Sequence, residues 1–147
     1  MKISRHRMCL LVFLAGLFFL AGTGAAQDHR VAVIVNPATP IVSADARLLA
    51  SIYSLNTQSW KDGTRIAMFV LQGNQKLVDQ FHRYIGHTPL ELRKIWLRYQ
   101  LSGEGKSPMA ISSEHELVDR VAAQPGAIGF VSAEAVKPEV KVIAWIE

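Results

Sequence analysis

Cysteine is almost missing: the chain has one in 147 residues, Cys9, at the start of an apolar run near the N-terminus. A single thiol cannot close an intramolecular disulfide, so packing alone must hold the fold, and an oxidising compartment adds nothing to it. A lipoprotein cysteine would stand at the end of the apolar run, at the cleavage point, so Cys9 is not a lipidation site. Metal-ligand spacings are missing as well. His29, His82, His87 and His115 stand without another histidine or a cysteine at a spacing such as H-x-x-x-H. They are expected to be solvated surface side chains, and neither a metal nor a cofactor is expected. There is no Gly-x-Ser-x-Gly elbow and no carboxylate pair singled out by an apolar setting, so no catalytic constellation emerges and no enzyme is expected. Internal repeats, low-complexity stretches and long linkers are absent too.

A strong charge bias is also lacking once the N-terminus is set aside. The formal net charge is +4, from sixteen Lys and Arg against twelve Asp and Glu. Three of the basic residues, Lys2, Arg5 and Arg7, precede the apolar run 8–20, which is followed by the small residues Ala21-Gly22-Thr23-Gly24-Ala25-Ala26. This is the order of an export signal, with cleavage expected after Ala26. The alternative is a membrane anchor, but a spanning helix needs roughly 20 apolar residues and this core is shorter. The expected organisation is a cleavable signal at 1–26 and one α/β domain at 27–147, with no membrane anchor after cleavage and a periplasmic address. Thirteen basic and twelve acidic residues then remain. That near balance, without a basic run, excludes nucleic-acid binding.

What is present alternates between strand and helix signals. Residues 31–35 form a continuous apolar run, β-branched at Val31, Val33, Ile34 and Val35, as in a buried strand, and Asn36-Pro37 ends it. Ser43 would cap a helix over 44–55, with Leu48, Ile52 and Leu55 on one face and Leu49 and Tyr53 widening it. Asp62-Gly63 marks a turn before a strand at 65–71. A helix carrying Leu77, Val78, Phe81 and Ile85 follows, closed by Gly86-His87. Thr88, Pro89 and Glu91 have the chemistry of a capping box with proline at the first helical position; Leu92, Ile95, Trp96 and Tyr99 give that helix its apolar side. Residues 102–108 form a Gly-rich loop. Ser113 with Glu116 suggests a second capping box, before a helix burying Leu117, Val118 and Val121. Strands are expected at 127–131, with Gly129 allowing close backbone approach, and at 140–145. This alternation indicates an α/β layer fold with a mainly parallel or mixed sheet.

Several short motifs occur in a telling order: Trp60-Lys61-Asp62-Gly63 before a strand, Trp96 in a helix running into Ser102-Gly103-Glu104-Gly105-Lys106, and Pro125-Gly126-Ala127-Ile128-Gly129-Phe130 after a further helix. With Asn36-Pro37 and Tyr53, this order resembles the phosphate-type periplasmic substrate-binding proteins of ABC transporters, over most of residues 31–145 but only about one lobe of such a protein. The resemblance implies a single lobe of the type II periplasmic-binding-protein fold, with a mixed sheet flanked by helices. It also implies an exported solute-binding role, with phosphate or a similar oxyanion as ligand.

Such proteins hold the anion on backbone N–H groups and hydroxyls at helix N-termini, often through Ser-Gly-Thr between a strand and a helix. Here that position reads Gln72-Gly73-Asn74-Gln75, so the glycine remains and both hydroxyls are gone. The candidate ligand-binding residues are therefore Gln72, Gly73, Asn74 and Gln75, with Ser102, Gly103 and Lys106 assisting. A second reading takes 72–75 as an ordinary strand-to-helix turn capped by Asn74. A single lobe offers one wall, so an enclosed anion would need a self-dimer or a partner. The alternative function is an envelope interaction or sensory accessory module, binding a transporter component or a membrane sensor after losing its small ligand. Gly105-Lys106-Ser107 is not a nucleotide P-loop, because the required earlier glycine is Gln100 and a helix, not a strand, precedes it. Trp96 is expected in the core; Trp60 and Trp145 suit either core or partly exposed positions.

Overall fold

The computed structural model describes residues 29–147. The expected signal segment, its cleavage point after Ala26 and Cys9 lie outside the described residues. The elements in chain order are β1 (Val31–Val35), α1 (Ala46–Tyr53), β2 (Ala67–Leu71), α2 (Gln75–Ile85), α3 (Pro89–Ser102), β3 (Met109–Ile111), α4 (Glu114–Ala123), β4 (Ala127–Ser132), a short 3-10 turn (Ala133–Ala135) and β5 (Lys141–Ile146).

Five strands form one mixed sheet in the order β3-β2-β4-β1-β5. β2 runs parallel to β3 and β4, while β1 runs antiparallel to β4 and β5. β1 lies between two strands and every one of its residues is buried, which is why its sequence is apolar without alternation. Helices pack on the sheet through Leu49, Ile52 and Tyr53 of α1, Leu77, Phe81 and Ile85 of α2, and Leu117, Val118 and Val121 of α4. At the centre, Phe81 stacks on Phe130 at 4.0 Å between centroids, and Tyr53 meets Phe81 edge-on at 4.9 Å. The Tyr53 hydroxyl donates to the Phe69 carbonyl at 3.3 Å, and burial pushes its pKa up, so the phenol stays neutral.

Several motif residues are clamps on backbone carbonyls. The buried Trp60 donates its indole N–H to the Gly126 carbonyl at 3.0 Å, and Trp96 donates to the Tyr53 carbonyl at 2.7 Å. Asp62 turns the chain between them by accepting the Thr64 N–H at 2.9 Å. Gly126 has φ +79°, and a Cβ there would sit 2.3 Å from the Arg65 carbonyl oxygen, so only glycine fits. Buried Asn36 donates to the Val121 and Ala122 carbonyls at 3.0 and 2.9 Å, capping the C-terminal end of α4, and accepts the Ala38 N–H. The Asn-Pro after β1 is thus a helix cap delivered across the fold as well as a turn.

The structure amends several boundaries. α1 starts at Ala46 with Asp45, not Ser43, as its cap: Asp45 accepts the Leu48 N–H at 2.8 Å, while the Ala44 N–H is committed to the Ile143 carbonyl. Arg65 and Ile66 are not in β2; they pair back onto Ser59 and Gln58 in a small hairpin. Thr88, Pro89 and Glu91 do form the reciprocal capping box of α3. Ser113 caps α4, but Glu116 does not return the bond, because its carboxylate pairs with Arg120 at 3.2 Å. β3 follows the expected 102–108 loop and, at three residues, is too short to leave a strand signal in the sequence. Trp96 is only partly buried, and Trp145 is 44% exposed under the Arg30 guanidinium, 4.6 Å from the ring centroid. His82 is not a surface histidine. It is 8% exposed, set edge-on to Phe81, and its Nδ1 has no partner among the described residues. Among the same residues, no helix is long and apolar enough to cross a membrane.

Candidate functional site

The parallel strands β2, β3 and β4 end along one edge of the sheet, the place where open α/β sheets bind ligands. Three exits meet there. From β2 the chain passes Gln72, whose N–H donates to the Ile111 carbonyl at 2.7 Å, and Gly73, at φ +109°, into α2. Asn74 caps α2 by accepting the Leu77 N–H at 3.3 Å. From β3 the chain enters α4 through Ser113, and Glu114 is the first residue of that helix. β4 ends at Ser132.

Glu114 joins all three. One carboxylate oxygen accepts the Ser132 N–H at 2.7 Å, and the other accepts from the Asn74 side-chain amide at 3.2 Å. A half-buried anion belonging to the chain itself therefore sits between the N-terminal ends of α2 and α4, where helix dipoles favour negative charge. The surrounding hollow, about 200 Å³, is lined by His29, Asn74, Lys76, Gln80, Glu114, Ser132 and Glu134 among others. Lys76 faces two carboxylates there, a poor balance for a second anion.

The expected site residues divide into two groups. Gln72, Gly73, Asn74 and Gln75 lie together, exposed, at this edge; the Gln75 amide is turned onto Asp79 at 2.7 Å. Ser102, Gly103 and Lys106 do not join them. Ser102 ends α3, donating to the Tyr99 carbonyl, and Gly103 terminates that helix in the left-handed region. A helix C-terminus carries negative partial charge and repels anions. Lys106 precedes β3 and lines a cavity beside Ile66 and Ala67, at the opposite edge of the sheet and on the order of 20 Å from Gly73 by strand rise. Glu114 and Ser132 were not indicated by the sequence. The capping pattern pointed to Glu116, and nothing local ties residue 114 to residue 132. Among the described residues, no group of three or more His, Cys, Asp or Glu is arranged to hold a metal.

A mixed five-stranded sheet flanked by helices, with helix N-termini at the carboxyl edge, is one lobe of a periplasmic substrate-binding fold. Solved structures of the phosphate type share it. A Clostridium perfringens protein described as a phosphate ABC transporter substrate-binding protein, with bound phosphate, superposes with a TM-score of 0.65 at 16% identity, over 80% of this chain and 46% of that one. An ABC-type phosphate transport receptor from Vibrio cholerae gives 0.61 at 20% identity, over 80% and 47%. PstS from Borrelia burgdorferi gives 0.56 at 15% identity, over 80% and 48%. The chain spans about half the length of these proteins. At such identities the likeness establishes the fold. No family model matches the chain, and no curated protein matches its sequence.

Proposed function

We propose that this chain is an exported, non-enzymatic lobe of the phosphate-binding-protein type that works by docking onto a protein of the cell envelope, a transporter component or a sensor, and not by capturing free oxyanion. The observation that carries this reading is the Glu114 carboxylate, which holds the Ser132 and Asn74 donors at the edge where a ligand would sit. A dianion brought there would meet like charge from Glu114 and Glu134, against Lys76 and helix N-termini that Glu114 already occupies. A lone lobe also lacks the opposing wall that desolvates a bound ion. Support for contact with a protein comes from α3, where Leu90, Leu97 and Leu101 stand 58%, 54% and 79% exposed at spacings of seven and four residues, on one side of the helix.

A second reading, oxyanion capture at the α2 N-terminus, is favoured by the Gly73-Asn74 turn, which keeps a helix N-terminus at the strand edge. Crosslinking in the native cells separates the two. On the docking reading, a specific envelope protein is recovered with the wild type and lost with Leu97→Glu/Leu101→Glu. Recovery of no partner, together with saturable phosphate binding by the purified protein, would reverse the assignment.

A further inference from the structure

A hollow lies away from the N-termini of α2 and α4, at the other end of β2. It measures about 530 Å³, within the range of roughly 300–1,000 Å³ usual for small-molecule sites. Leu55, Ile66, Phe69, Met109 and Pro125 supply apolar walls. Arg65 and Lys106 stand at it as well, both exposed, and neither side chain makes a hydrogen bond or ion pair among the described residues. No carboxylate lines the hollow. A mainly apolar chamber, with polar Gln58, Thr64, Ser107 and Gln124, two uncommitted cations and no carboxylate, suits an apolar body with an anionic head.

Leu55 is a second observation at the same place. It follows α1 at the position where the chain turns left-handed, with φ +64°, the one positive-φ residue other than glycine among the described residues. The turn is complete, with the Leu55 N–H on the Ile52 carbonyl at 3.0 Å and the Asn56 N–H on the Ser51 carbonyl at 2.9 Å. Glycine is the usual residue there, because a Cβ is strained in that conformation. The leucine side chain is 3% exposed and forms part of the chamber wall. Its packing offsets strain that glycine would have avoided.

We propose that this chamber binds a small amphipathic carboxylate, with the apolar body against Leu55, Ile66 and Phe69 and the carboxylate between Lys106 and Arg65. Such a site is independent of the Glu114 edge and of whether phosphate binds there.

Decanoate is the probe, titrated calorimetrically into the purified protein, with decanol and phosphate as controls. Saturable one-to-one binding of decanoate is expected, about tenfold tighter than decanol, because the carboxylate pairs with two cations and the hydroxyl does not. Lys106→Gln/Arg65→Gln should bring decanoate down to the decanol level. Both side chains are exposed and unpaired, so the melting temperature of that variant should stay within a degree or two of wild type. Phosphate should not compete. Absence of saturable decanoate binding would overturn the proposal; so would equal affinity for decanol, or decanoate binding unaffected by the double substitution.

Discussion

Glu114 begins α4, yet its carboxylate reaches across to the end of β4 and accepts the Ser132 N–H at 2.7 Å. Its other oxygen takes the Asn74 amide, the side chain that also caps α2. The negative charge favoured at two helix N-termini is thus supplied from within the chain, and the carboxyl edge of the sheet is locked as well as filled.

Removing that charge should loosen the edge. Glu114→Ala leaves the Ser132 N–H without its acceptor, and Asn74 loses a partner. A loss of about 2 kcal/mol is expected, and about 1 kcal/mol for Glu114→Gln, which keeps one acceptor oxygen. Urea unfolding monitored by tryptophan fluorescence gives both values. An unchanged midpoint for Glu114→Ala would mean that the carboxylate is not engaged in solution.

Asn36 should behave as a structural cap. Asn36→Ala strips two α4 carbonyls and the Ala38 N–H of their partner at a buried position. The expected loss is about 2–3 kcal/mol, larger than for an exposed loop asparagine. Hydrogen exchange should show faster opening of the last turn of α4 ahead of the rest of the sheet.

Gly126→Ala should be among the most damaging small substitutions. The new methyl group would meet the Arg65 carbonyl, a backbone atom that cannot swing aside, in a conformation that L-residues avoid. About 3 kcal/mol or more is expected from the two penalties combined. Trp60→Phe, which removes the indole donor to the Gly126 carbonyl, should cost about 1 kcal/mol, because that oxygen still accepts from the Ala67 N–H.

These positions show how far the sequence could be followed. Apolar runs and caps located β1, α2, α3 and α4, because burial and helix termini leave local signatures such as Thr88-Pro89-x-Glu91. What stayed hidden acts over distance: Asn36 reaching α4, Glu114 reaching Ser132, and a three-residue β3 that exists only because β2 lies beside it. The candidate site suffered most. Gln72, Gly73, Asn74 and Gln75 lie between β2 and α2, where the resemblance placed them, but Lys106 lies at the other end of the sheet, since no local pattern reveals which end of a sheet a loop occupies.

His82 gives the fold a pH dependence. Burial holds its pKa below the ordinary histidine value, with Asp79 partly opposing the shift. The unfolded chain therefore takes up a proton before the folded one does. Above the unfolded histidine pKa both states are neutral and the site carries no penalty; as pH falls through that value toward the lower folded pKa, stability is lost. His82→Leu removes this titration, so its melting temperature should fall less than that of wild type between pH 7.5 and 5. Equal slopes would show that His82 is freely protonated in the fold.

The most direct test of the central claim is calorimetric titration of the purified protein with phosphate, sulfate serving as control, while its mass in solution is followed. With Glu114 occupying the edge, no saturable heat is expected from a folded wild-type monomer. Micromolar phosphate binding with a defined stoichiometry, one site per chain or one per dimer, would contradict the account and make the α2 N-terminus a working anion site.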